Sequence, residues 1–153
     1  DAIIAINLTA AFHTIQKSLP SMKANGWGRV INIASVHGLI GSLNKSAYVA
    51  AKHGIVGLTK VAALECAELG ITVNAICPGW VLTPLVQKQV DAKAETLGLT
   101  NQAATELLLG EKEPSMQFTT PEELGDLAVF FCSAAGNNIR GVAWNMDGGW
   151  AAQ

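Results

Sequence analysis

Residues 29–54 read RVINIASVHGLIGSLNKSAYVAAKHG. The first seven, Arg29 to Ser35, form a short apolar run without alternation. That is the signature of a parallel strand buried on both faces. A loop, VHGLIGSLNK, carries the chain to Lys45. From Ser46 an alanine-rich segment predicts a helix to about residue 69, closed at Gly70. Tyr48 and Lys52 stand four positions apart on it and so share one helix face. Ser35, thirteen positions before Tyr48, falls at the strand end, where α/β sheets place their ligands.

The same alternation continues outward. Residues 1 to about 24 carry Ile4, Leu8, Phe12, Ile15 and Leu19 at three- and four-residue steps, which predicts a helix ended by NGWG. ITVNAICP predicts a second buried strand, stopped by Pro78 and Gly79. Residues 82–118 are more polar and weakly helical, as expected of a mobile helical lid over a site. Thr120, Pro121 and Glu123 give an N-cap, a first-turn proline and a capping-box partner. A third strand is predicted from about residue 141. Helices alternating with buried strands specify an α/β fold with a parallel sheet. Three strands make a narrow sheet, and the chain opens inside a helical pattern without an initiator Met. The true N-terminus is therefore expected upstream.

The 153 residues suffice for one domain with a core. Half are hydrophobic and 14% are charged, an apolar balance that points to subunit contacts. A net charge of −2 offers no nucleic-acid surface and no basic membrane patch. No apolar run is long enough to span a bilayer. Cys66, Cys77 and Cys132 are scattered, so neither a disulfide framework nor a metal site is indicated. Three buried thiols in a reducing cytosol are expected.

Free tyrosine titrates near pH 10 and is a poor base at neutrality. An ammonium a few ångströms away favours the phenolate, and such a pair can shuttle a proton. The Ser35 hydroxyl is placed to hold the same substrate oxygen. His37, two positions after Ser35, and Lys45, three before Tyr48, lie in the same loop. With Gln89 and Trp150 they suit a small carboxylate.

A lone Y-x-x-x-K is short and common. Here Ser-x12-Tyr-x3-Lys occurs with NIAS, SAYVAAKHG, VNAICPGWVLT and DGG in order. Together they resemble the short-chain dehydrogenase/reductase family along the whole chain. The resemblance covers only that family's C-terminal part. No G-x-x-x-G-x-G follows a strand here, and the family's acidic cofactor selector and NNAG segment have no counterpart. The resemblance implies a Rossmann-like doubly wound parallel sheet, of which residues 1–153 are the C-terminal catalytic part with a lid at about 82–118. It implies that Tyr48 is the acid/base, Lys52 its electrostatic partner and a ribose ligand, and Ser35 the stabiliser of the reacting oxygen. Asn7 would hold a water that links Lys52 to solvent. Pro78, Gly79, Val81 and Thr83 would contact the nicotinamide, with the Val81 backbone on its carboxamide.

SVHGLIGSLNKSAY, PGWVLTPLVQKQ and GGWAAQ further resemble the bacterial D-3-hydroxybutyrate dehydrogenase subfamily. That resemblance implies that His37, Lys45, Gln89 and Trp150 hold the substrate carboxylate and close the pocket. It implies oxidation of (R)-3-hydroxybutyrate to acetoacetate with NAD, in a cytoplasmic homotetramer paired through the Tyr48 helix and the helix before it. The alternatives are a 3-oxoacyl-carrier-protein reductase or polyol dehydrogenase of the same family, or a non-catalytic fragment. Without a phosphate-binding loop, residues 1–153 alone are expected to bind NADH poorly and to be inactive.

Overall fold

The computed structural model describes residues 2–152. Among them, three parallel strands form a sheet in the order β1 (Gly28–Ile33), β2 (Ile71–Pro78), β3 (Ala143–Met146). Gly28 lies opposite Ile71 and Ile33 opposite Ile76, while Cys77 faces Asn145. The parallel sheet matches the expectation from sequence. All of β2 is buried, as expected, including the polar Thr72 and Asn74. β1 departs from that prediction: it is a sheet edge among the described residues, and Ile33 at its end is 51% exposed.

The chain enters through α1 (Ala2–Ile4), a π-helical turn (Ala5–Thr9) and α2 (Ala10–Asn25). Gly26 ends this helix in the left-handed conformation. After β1 the catalytic-motif helix α3 runs Ser46–Glu65, shorter than the expected close near residue 69. The chain leaves it at the fully buried Cys66, and the Leu69 N–H bonds to the Cys66 carbonyl at 3.0 Å, which turns the backbone toward β2. β3 likewise begins later than expected, because Gly141 takes φ +72 and bends the entering chain.

Two apolar clusters hold α2 and α3 on the sheet. One gathers Ile15, Ala62, Ala63, Cys66, Ile71 and Val73, the other Ala34, Ile55, Val56, Ala75 and Cys77. A buried polar strut adds register: Asn32 donates to the Thr59 hydroxyl (2.8 Å), which donates to the Ile55 carbonyl (2.7 Å). Buried polar groups need such partners, so the strut fixes how α3 sits on β1. Cys132 corrects the expectation of three buried thiols. It ends α6 (Pro121–Cys132) on the solvent side, one position from the fully buried Phe131.

Residues 82–118 hold two helices with a small core of their own. Thr83 caps α4 (Pro84–Leu97) by accepting the Val86 N–H at 3.3 Å, and Thr100 caps α5 (Asn101–Gly110) by accepting the Ala103 N–H at 3.2 Å. Val90, Ala94, Ala104 and Leu108 are buried between them. The polar residues interleaved along this stretch concealed that packing, whose buried members recur one helical turn apart, Val90 to Ala94 and Ala104 to Leu108. The Thr120–Glu123 capping box at the start of α6 is formed as predicted. No helix among the described residues is long and apolar enough to cross a membrane.

Candidate active site

The carboxyl ends of the three strands open toward one cleft of about 400 Å³. β1 delivers Ser35, two residues past its end, in an extended conformation. The Ser35 hydroxyl accepts the His37 backbone N–H at 3.2 Å and so caps a 3-10 turn, Val36–Gly38. This local bond places the imidazole beside the serine. A Cβ at Gly38 would meet the Lys52 carbonyl at 2.7 Å, so only glycine lets the turn lie this close to α3. Tyr48, in the first turn of α3, faces that junction. Its ring lies edge-on to His37 with centroids 6.1 Å apart.

Lys52 sits behind the tyrosine, 8% exposed, with its ammonium 5.5 Å from the Tyr48 ring centroid. It donates one hydrogen bond, to the Ile33 carbonyl at 3.0 Å. An ammonium has three N–H groups, so two remain for a ligand. Burial pushes its pKa below the usual lysine range, with the nearby Cys77 pulling it back up.

The far wall is aromatic. Asp147 follows β3 and accepts the Gly149 N–H (3.2 Å) and the Ala151 N–H (2.9 Å), a turn that swings Trp150 over the cleft. Trp150 stacks on Trp80 with centroids 6.2 Å apart and meets the His37 ring edge-on at 5.2 Å. Val36 and Leu85 complete an apolar pocket whose polar groups are Ser35, His37, Lys45 and Tyr48.

The polar end is cationic. Lys45 Nζ lies 3.4 Å from Nε2 of His37. An ammonium has no lone pair, so Nε2 must accept, and the neutral imidazole carries its proton on Nδ1. That Nδ1 is buried and without a hydrogen-bond partner. Burial first, then Lys45 and Lys112, hold the His37 pKa below the usual histidine value. A ligand carboxylate at this end of the cleft would offset both cations.

Thus Ser35, His37, Lys45, Tyr48, Gly79 and Trp150 line one cleft, with Lys52 directly behind it. Pro78 ends β2, Val81 bridges to Thr119, and Thr83 caps α4, all on the segment that borders the cleft. Two residues stand elsewhere. Gln89 is exposed on α4, because that helix turns Val86 and Val90 inward; it lies one turn beyond Leu85, which does line the cleft. Asn7 lies in the π-helical turn, which packs on α3, and its side-chain amide donates to the Ile3 carbonyl at 3.1 Å. Sequence reasoning missed Trp80, whose signal was an aromatic beside Gly79. It also missed Lys112 and Glu113 in GEKEPS, which it took only as part of the polar lid segment.

A family model described as Enoyl-(Acyl carrier protein) reductase matches residues 1–151. The chain is 65% identical, along its whole length, to a D-beta-hydroxybutyrate dehydrogenase of Cupriavidus necator, and 53% identical to one of Rhizobium meliloti. It spans 59% of the length of each. A variant actinorhodin polyketide ketoreductase with NADPH superposes with a TM-score of 0.85 at 32% identity, over 96% of this chain and 57% of that one. A 4-hydroxyisoleucine dehydrogenase complexed with NADH gives 0.77 at 27% identity, over 98% and 58%.

Proposed function

The chain belongs to the short-chain dehydrogenase/reductase family, and on that footing we propose that it forms the catalytic part of an NAD-dependent dehydrogenase that oxidises (R)-3-hydroxybutyrate to acetoacetate. The observation that carries this reading is the convergence of Ser35 and Tyr48 with the His37–Lys45 pair in one apolar cleft. A proton-handling hydroxyl pair and a carboxylate anchor are what a small hydroxy acid requires.

In this reading the Tyr48 phenolate takes the proton from the substrate C3 hydroxyl as the C–H bond breaks. Ser35 holds that oxygen. Lys52, with its ammonium 5.5 Å from the Tyr48 ring centroid, offers its two remaining N–H groups to a ribose hydroxyl, so the residues present fit a nicotinamide nucleotide. The cofactor, when bound, supplies the hydride acceptor. Pro78, Gly79, Val81 and Thr83 would hold the nicotinamide, with the Val81 backbone available to its carboxamide. His37 and the Lys45 ammonium bind the carboxylate, and Trp150, packed on His37, closes the pocket. Residues 82–118 act as the lid that brings Gln89 in, and Asn7 holds the water that returns protons from Lys52 to solvent. The use of NAD and not NADP rests on the subfamily resemblance. A homotetramer is supported by the uncovered apolar face of α2 and α3, where Phe12 is 47%, Val61 53% and Leu64 77% exposed.

A reductase of acyl thioesters fits the name of the matched family model but leaves the cationic end of the cleft without a purpose. Steady-state rates on acetoacetate and on an acetoacetyl thioester, with the complete protein, separate the two. The free acid should be favoured by at least tenfold; preference for the thioester would overturn the assignment.

A further inference from the structure

Glu113 is 1% exposed, yet it is a carboxylic acid. Charged groups are almost never buried so fully without pairing. Its Oε1 accepts the Trp80 backbone N–H, and its Oε2 is buried without any hydrogen-bond partner. A Cβ at Gly79 would collide with Oε1, so the glycine allows the acid to reach the turn. The same short segment grips the turn at further points. Thr119 N–H donates to the Trp80 carbonyl (2.9 Å), Leu82 N–H to the Thr119 carbonyl (2.9 Å), and Ser115 N–H to the Gly148 carbonyl (3.0 Å).

We propose that Glu113 is a positioning residue that latches residues 113–119 onto the Gly79–Trp80 turn and thereby sets the Trp80–Trp150 wall of the cleft. The inference rests on reading that cleft as the substrate site. An ionised Glu113 would bury a charge with one oxygen unmatched, which is costly; a protonated one keeps Oε1 as acceptor. Burial, with the Asp147 carboxylate adding to it, pushes Glu113 up to about 7 against the pull of the Trp80 N–H. The surrounding charges do not rescue the anion. Asp147 repels it from the turn after β3. Cys77, at the end of β2, is kept a neutral thiol by burial. Lys112 beside it acts on His37, and Glu111 is paired with Lys93 at 2.6 Å.

The latch should therefore loosen as pH rises through about 7, and the aromatic wall should follow. The test is made on the complete protein, wild type against Glu113→Gln and Glu113→Ala. Glutamine keeps the acceptor for the Trp80 N–H and cannot ionise. Tryptophan emission of the unliganded wild type should show a transition near pH 7 that is absent in E113Q. KM for 3-hydroxybutyrate should rise at least threefold from about pH 6 to about pH 8.5 in wild type and stay level in E113Q, with kcat following the same profile in both. E113A should raise KM at every pH. An emission transition that persists in E113Q, or the same KM profile in both proteins, would overturn the latch. The emission titration needs no substrate and no folded alanine variant. An emission transition that E113Q abolishes, in a protein that ignores 3-hydroxybutyrate, would support the latch and reject the substrate.

Discussion

Lys45 Nζ stands 3.4 Å from His37 Nε2, an ammonium held against an imidazole and not against an acid. Neither group gains from the other's charge, and the pair makes sense as two halves of an anion site. Lys45→Met should raise KM for 3-hydroxybutyrate by tenfold or more, since a charged hydrogen bond contributes roughly 1.5–3 kcal/mol. Cofactor affinity should not change.

The same pair has a signature that needs no turnover. Lys45 lowers the His37 pKa, so Lys45→Met should let the imidazole titrate at higher pH. A saturating carboxylate inhibitor should move it the same way in wild type. An NMR titration of the His37 ring protons reads both shifts; movement to lower pH in either case contradicts the anion site.

Tyr48→Phe keeps the ring that packs against His37 and removes only the hydroxyl. In the complete protein, turnover should fall by at least ~10²–10⁴-fold, the range of general acid–base catalysis. NADH binding, followed by fluorescence, should persist. Retained turnover would mean that another group carries the proton.

The elements were legible where one period dominates. β2 is mostly apolar and stopped by Pro78 and Gly79, and it is wholly buried; the Thr120 capping box formed as its residue types dictate. The Ser35–Tyr48–Lys52 set was legible because a strand end and a helix start fix it locally. Glu113 was not. Its partners, Trp80 and Asp147, lie more than thirty positions away in either direction, and a charged run gives no hint that one member is buried. Gln89 has a residue type that suits the substrate, and α4 turns its neighbours Val86 and Val90 inward and leaves Gln89 exposed, a placement that sequence alone does not give.

Leu85 lines the cleft and Gln89 follows it by one turn on the same face of α4. If α4 closes over a bound substrate, Gln89→Ala should raise KM several-fold while leaving kcat within about twofold, as expected for one lost neutral hydrogen bond. Unchanged KM would keep Gln89 out of the site in every state.

Lys52 sets function against stability. Its ammonium is buried, has one hydrogen-bond acceptor, and titrates below the usual lysine value because burial disfavours the charged form. From the folded pKa up to about 10.5, the unfolded chain therefore binds more protons than the folded one, and stability rises with pH across that window. Below it both states are protonated, and the penalty is complete and constant. Lys52→Met fills similar volume, removes the penalty, and gives up one hydrogen bond to the carbonyl of Ile33, a residue half-exposed at the sheet edge. At pH 7 the variant should be more stable than wild type or within about 1 kcal/mol of it. It should nevertheless lose most turnover and bind NADH weakly, because the phenolate partner and the ribose donor are gone. Urea denaturation at pH 7 and at pH 9.5, set beside NADH titration, measures both effects. A variant destabilised by several kcal/mol would show that the ammonium is held for the fold, and full activity that it is not held for the reaction.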